Sequence, residues 1–400
     1  MLALPWLTWG MVGGFVVVTL PQMLVARGVP GDRAAIAVAI ILSPVFWSFV
    51  LAPFLDVRFR RRTYALVFGV MAVIAATVTV IYHPVLAEVE TVMLLGFLSC
   101  CMFQSAMGGW AGSLIGKGHD SLLGAWSGIY SVGGSGVGIL ISDFALQHFS
   151  RTAAAVLIFA AFLSPLVVFP VIPAPRPPKL PASASFSRFA REVIALFKNR
   201  EVLVALALFA LPSASFALTN ALGAWSESFH ATPSLVGVIG GVGIIVGSIA
   251  GCALVPLLAK RSPLRPLYLS IGLVGAAFTV GLLFLPHVPW TFGLAFVGEN
   301  FFQSAAAAAG LAIIFEVIGP GNPLAATTFA LLCAALDLPV DYMEFVDARG
   351  YHWHGITGAF LTDALVSGSA CLLLAIVLRR RLFPRLRSRN RHGSCAPRAT

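Results

Sequence analysis

Long apolar runs recur along this chain from end to end, and most are at least as long as the roughly 20 residues that an α-helix needs to cross a bilayer. A chain made of such runs has few ways to fold. In hydrocarbon every backbone N–H and C=O must find its partner within one helix or around a closed barrel. The runs are continuous, with no alternation of polar and apolar residues, so helices are expected and a barrel is not. Composition agrees. Charged residues make up 10% of the chain, hydrophobic residues 58%, and mean hydropathy is +0.92, where a soluble domain carries about 25% charged residues.

Bounding the runs by charges, Pro and Gly gives twelve segments, six in each half. The first six cover residues 6–27, 33–56, 63–82, 91–115, 122–144 and 151–172; the second six cover 202–225, 233–258, 267–285, 290–315, 323–343 and 356–378. The expected organisation is an all-α membrane protein: an N-terminal six-helix bundle (1–172), a linker (173–200), a C-terminal six-helix bundle (201–378) and a basic tail (379–400). The first run lacks a basic leader and a small-residue cleavage site, so it reads as an uncleaved helix. The linker opens with Pro173, Pro175, Pro177, Pro178 and Pro181. Phe186, Phe189, Val193, Ile194 and Phe197 then recur at helical spacing opposite Arg188, Arg191, Glu192 and Lys198, the pattern of a helix lying in the membrane interface.

Lys and Arg are retained on the cytoplasmic side during insertion. With both termini cytoplasmic, only Arg27, Arg33, Arg151 and Arg349 of the 26 basic residues fall outside. The two halves also match each other. Pro30 pairs with Pro233, Leu51, Pro53 and Leu55 with Leu254, Pro256 and Leu258, Tyr64 with Tyr268, and Phe103-Gln104-Ser105-Ala106 with Phe302-Gln303-Ser304-Ala305, all at closely similar offsets. Parallel repeats of this kind are a construction typical of transporters.

Several other classes are excluded or disfavoured. The formal charge of +10 does not mark a nucleic-acid binder, because no soluble unit carries a basic face with a groove-reading element. Five of the six cysteines lie inside apolar runs and one in the basic tail, with neither a disulfide framework nor zinc spacing. The run from Gly133 to Gly138 follows no strand and is no phosphate cradle. Glycines at every fourth residue (Gly124 and Gly128; Gly134 and Gly138; Gly243, Gly247 and Gly251) serve close helix approach. His352 and His354 flank Trp353 near Asp347 in what reads as a solvated outer loop. No cofactor, metal site or catalytic residue is expected.

Six plus six helices, a central linker and a basic cluster between the second and third helices resemble the major facilitator superfamily. The superfamily's loop motif corresponds here to Ala52-Pro53-Phe54-Leu55-Asp56-Val57-Arg58-Phe59-Arg60-Arg61, which keeps the Asp and the basic cluster but has Ala52 and Phe59 where Gly is expected. Trp47-Ser48, Pro53, Arg60-Arg61-Arg62 and Ala326-Thr327-Thr328-Phe329-Ala330-Leu331 resemble the AmpG-type permeases. These import muropeptides with protons and have acetyl-CoA transporters among their relatives. The loop between Asp56 and the arginines is shorter than theirs, and their acidic-aromatic signature is reduced to Gly109-Trp110-Ala111. The resemblance implies secondary transport of a small or medium organic solute, as proton-coupled import of a muropeptide-like or other polar metabolite. Efflux of a drug-like or toxic compound is the alternative on the same fold. A membrane-embedded acyltransferase is the rival from another class, but no His in any segment could supply its base.

Ionisable groups inside a bilayer cost several kcal/mol each and mark function by default. Glu299 falls roughly 14 Å inside the tenth segment, with Asp363 and Asp337 inside the twelfth and eleventh, and every Lys and Arg lies at a segment end or beyond. With no buried cation beside them these carboxyls are cheapest neutral, and a carboxyl that gains and loses charge as water reaches it is the group that proton coupling needs. Glu299 is expected to be the principal proton site, with Asp337 or Asp363 as partner; a permanently neutral carboxyl bonded to a neighbouring helix is the alternative. Asp341 and Glu344 read as wetted. Because the resemblance places the first, fourth, seventh and tenth helices around a central cavity, Gln104 and Gln303 are the leading substrate contacts. Weaker candidates are Trp110, Asn300, Asn220 and Gln22; helix packing is the competing role for these polar residues. The same resemblance assigns Asp56, Arg60 and Arg61 to a cytoplasmic gate. Expected partners are the solute, protons and anionic lipid headgroups at the basic tail; no nucleic acid is expected, and the chain is expected to be a monomer in the cytoplasmic membrane of a bacterium.

Overall fold

The computed structural model describes residues 1–56, 59–82, 85–116, 118–173, 194, 196, 198–223 and 225–378, and all regular structure among them is helical. Most of the interfacial helix expected in the linker, and the basic tail, lie outside the described residues. Among the described residues, ten helices are long and apolar enough to cross a membrane. In chain order they include α1 (Trp6–Ala26), α2 (Arg33–Val50), α3 (Arg61–Ile81), α4 (Leu86–Leu114), α5 (Asp120–His148) and α6 (Arg151–Val168). A shorter helix, α7 (Arg200–Ala210), precedes α8 (Gly241–Ala259), α9 (Leu264–Leu282) and α10 (Pro289–Ile318).

The tenth long helix, Ala325–Val377, leaves helical geometry at His354 and Gly355, where Gly355 takes φ +59°. Such a φ suits glycine, which has no Cβ to clash. The chain folds back there: a Cβ built on Gly350 would sit 2.6 Å from the Gly358 carbonyl oxygen, so the two arms touch backbone to backbone. We describe the arms as α11 (residues 325–353) and α12 (residues 356–377).

Two expectations are corrected. The eleventh segment does not stop at 343, and its polar stretch is not a loop. It stays helical to the kink, which carries Asp347 into the protein interior. The seventh segment is not one helix: after Ala210 the chain leaves helical geometry and regains one turn at Leu218–Ala221, with Phe216 at φ +50°. Pro212 explains the break, since proline lacks an N–H for the ladder and turns the residue before it away from the helical region.

Packing is uneven along the molecule. One apolar cluster draws on both halves, joining Trp6, Phe103 and Trp110 to Phe315, Ile318 and Phe329. It occupies the end that carries the α2–α3 and α10–α11 turns, here called the basic end. Away from it the core divides. One cluster, from Met11 to Phe162, belongs to the first half alone, and another, from Leu218 to Phe360, to the second alone. Leu20–Ala26 and Leu218–Ala221 pack chiefly within their own halves. The halves therefore close at the basic end and part toward the other.

Candidate functional site

The closed end is held by one carboxylate. Asp56, at the end of the 3-10 turns that follow α2, has a side chain only 1% exposed. Its Oδ1 accepts hydrogen bonds from Arg61 Nε (2.8 Å) and from the backbone N–H of Ala326 (3.2 Å). Its Oδ2 accepts from the backbone N–H and the hydroxyl of Thr327, at 2.9 and 2.8 Å. The N-terminus of α11 has no side-chain cap of its own, so a residue of the first half caps a helix of the second. The unpaired N–H groups and dipole of a helix start favour a carboxylate there. Arg61 completes the bridge, donating to the carbonyls of Asn322 (2.9 Å) and Pro323 (2.8 Å) while its guanidinium pairs with Asp56 at 2.7 Å. Arg60 takes no part in this network. The backbones meet beside it: a Cβ on Gly109 would lie 2.4 Å from Ala326 N, and one on Gly108 would lie 2.2 Å from the Phe329 ring.

A second group of carboxyls lies wholly within the second half. Glu299 on α10, Asp347 on α11 and Asp363 on α12 are 0%, 0% and 2% exposed, and each lies within electrostatic reach of the others. Thr279 on α9 donates to Glu299 Oε1 at 2.6 Å. One oxygen of Glu299, one of Asp363 and both of Asp347 have no hydrogen-bond partner. Buried polar atoms are seldom left so, and no cation stands among these carboxyls in the described residues. Asp337 is placed differently. It is exposed, and the groups close to it include Cys101 on α4 of the other half.

The amide candidates separate as well. Gln104 and Gln303 are half-buried near the middle of α4 and α10, and neither side chain is tied into a hydrogen bond among the described residues. Gln22 is exposed on α1. Asn220 donates to Glu344, linking the turn after α7 to α11. Asn300 is buried and donates to Phe296 O of its own helix. Trp110 offers no face to a ligand in this conformation: it is 3% exposed, its indole N–H bonds to Pro173 O, and Phe169 packs edge-on against it. The small-residue stripe on α4 is likewise filled, since Phe329 occupies the space beside Gly108.

A sequence profile of the Major Facilitator Superfamily matches residues 7–336. The chain belongs to the major facilitator superfamily. Solved structures of the superfamily share its fold. A proton:xylose symporter bound to 6-bromo-6-deoxy-D-glucose is 12% identical, with 95% of this chain and 94% of that one covered and a TM-score of 0.65. The fucose:proton symporter of E. coli is 15% identical (94% and 97% covered, TM-score 0.66). The human organic anion transporter MFSD10 is 16% identical (93% and 97% covered, TM-score 0.67). No curated protein sequence matches. At these identities the likeness is one of fold, and membership of this superfamily points to a multi-pass membrane transporter in place of an enzyme.

Within that superfamily fold the repeat partner of Arg61 is Arg265, at the offset that relates Tyr64 to Tyr268. Arg265 stays inside its own half, paired with Glu201 at the start of α7 and, at 3.8 Å, with Glu316 near the end of α10. Asp347 is the residue that sequence reasoning missed. Its signal was the spacing of Asp337, Asp341, Glu344 and Asp347, which share one side of a helix.

Proposed function

We propose that this chain is a secondary active transporter that carries a small or medium polar metabolite by alternating access. Its twelve crossings pivot as two six-helix bundles, with both termini cytoplasmic, in a bacterial cytoplasmic membrane. The reading rests above all on one observation: at the basic end the halves share an apolar cluster and a latch of hydrogen bonds and one ion pair, while toward the other end their cores are separate. Contact confined to one end leaves the two halves able to rock about it. Placing the basic end on the cytoplasmic side makes the proposed conformation an outward-facing one.

Proton coupling is assigned to Glu299 with Asp363, and Asp337 is the wetted carboxyl facing the seam. Three carboxyls in mutual reach without a cation cannot all carry charge in a low-dielectric interior, so uptake and release of a proton there changes the charge inside the second half. Gln104 and Gln303 are free to orient a ligand. The motifs around Asp56 and Thr327 favour a position near the AmpG-type permeases, and import as the direction.

Glu299→Gln keeps the acceptor for Thr279 and removes the titrating group. In proteoliposomes under an imposed pH gradient, supplied with a panel of labelled solutes, this variant should lose gradient-driven uptake and keep exchange of solute across the membrane. Unchanged gradient-driven uptake would remove Glu299 from the mechanism.

A further inference from the structure

The acidic side of α11 is not used up by proton coupling. Asp337, Asp341 and Glu344 follow one another at one-turn spacing, and Asp347 continues the series. Each feels the next: Asp341 acts on Asp337, Glu344 on Asp341, and Glu344 on Asp347. Asp337 is exposed, and Asp341 and Glu344 are half-buried. Like charges one turn apart on a helix repel, yet no Lys or Arg pairs with any of the four among the described residues. Arg349, farther along α11, is exposed and makes no such pair.

Asp347 supplies an independent sign of a missing ligand. It is fully buried, lies within electrostatic reach of Glu344 and of the Glu299–Asp363 pair, and neither of its oxygens has a donor. One turn beyond it, Tyr351 stacks on Trp225 with ring centroids 4.5 Å apart. From Asp337 to Tyr351 the row extends roughly 20 Å along the helix.

We propose that this row recognises an extended organic cation, an amine or guanidinium compound, and that the inference rests on the transporter reading above. Carboxylates in line are what such a cation binds, through charge-assisted hydrogen bonds. A metal ion fits less well, because no group of three or more His, Cys, Asp or Glu side chains among the described residues could hold one. A proton alone would not need three water-accessible carboxyls in line. The same charges would repel an acidic muropeptide, so the row sets this chain's solute apart from the one implied by its motif resemblance.

The test uses the full chain, purified in detergent, with spermine and ethidium as probes and with glucuronate and xylose as anionic and neutral controls. Binding is expected for the two cations, weakening as salt rises, with neither control bound comparably. Asp341→Asn combined with Glu344→Gln, which keeps an acceptor for Asn220, should weaken cation binding at least tenfold. Asp337→Asn alone should weaken it less, and serves if the double variant does not fold. Equal binding of glucuronate or xylose, or cation binding unchanged in these variants, would overturn the proposal. The transporter reading fails on a different measurement: distances between spin labels across the basic end that take a single value under every condition.

Discussion

The basic end has two seams related by the internal repeat, and they are built differently. At one, the turn from α2 to α3 meets the start of α11, and Asp56 and Arg61 tie it down with donors from both halves. At the other, the turn from α8 to α9 faces the start of α5. There a cavity of about 480 Å³ opens between Asp120, Ser121, Ala259, Ser262 and Glu316, and Arg265 turns to partners in its own half. This second seam is held deeper in the bundle by close backbone contact: a Cβ on Gly124 would stand 2.5 Å from Ala308 O. Packing of that kind does not depend on charge. Both seams thus have close backbone contact, but only the first adds a polar clasp across the halves among the described residues.

The strongest way to break the contrast is Asp56→Ala. It strips the cap from α11 and leaves Arg61 without its carboxylate. Removing one partner of a buried pair costs about 3 kcal/mol, roughly a hundredfold in the ratio of closed to open forms. Spin labels at positions 54 and 323 should report a longer distance, and an unchanged distribution would show that Asp56 is not the clasp. Gly109→Val should act next most strongly. Its side chain would collide with the backbone of Ala326, and overpacking of this kind costs about 1–3 kcal/mol; the same labels should again move apart, while the fold survives in thermal unfolding.

The paired changes Arg61→Lys and Arg265→Lys sharpen the comparison with a smaller effect. Lysine keeps the charge but loses the planar fork that lets Arg61 hold Asp56 and two carbonyls together, so the first change should shift the closed–open balance that the labels report by about 1 kcal/mol. The second should leave that distance unchanged and lower the melting temperature slightly, because its partner Glu201 is largely exposed and such pairs contribute at most about 1 kcal/mol. Equal shifts from both would mean that the two seams share the load.

Much of this was legible in the sequence, for reasons that differ by element. The helices were, because the bilayer fixes their length and the apolar runs record it. The repeat is itself a reading of the sequence, through Pro30 and Pro233 or Gln104 and Gln303. Asp56 stood out by its motif, and so did Ala326-Thr327-Thr328, but nothing in either segment says that one caps the other, since that contact spans 270 positions. The break after α7 had a signal in Pro212. The burial of Asp347 was hidden by composition: Glu344, Arg349, His352 and His354 make the end of α11 read as a loop, and only the one-turn spacing of the acids argues for a helix.

The cap that α11 borrows from the other half carries one more consequence. Asp56 holds the amide protons of Ala326 and Thr327 in this structure, so under the proposed alternating access their exchange with deuterated water should speed up whenever the halves part. Mass spectrometry of the peptides that carry them would then read out the proposed opening without any label.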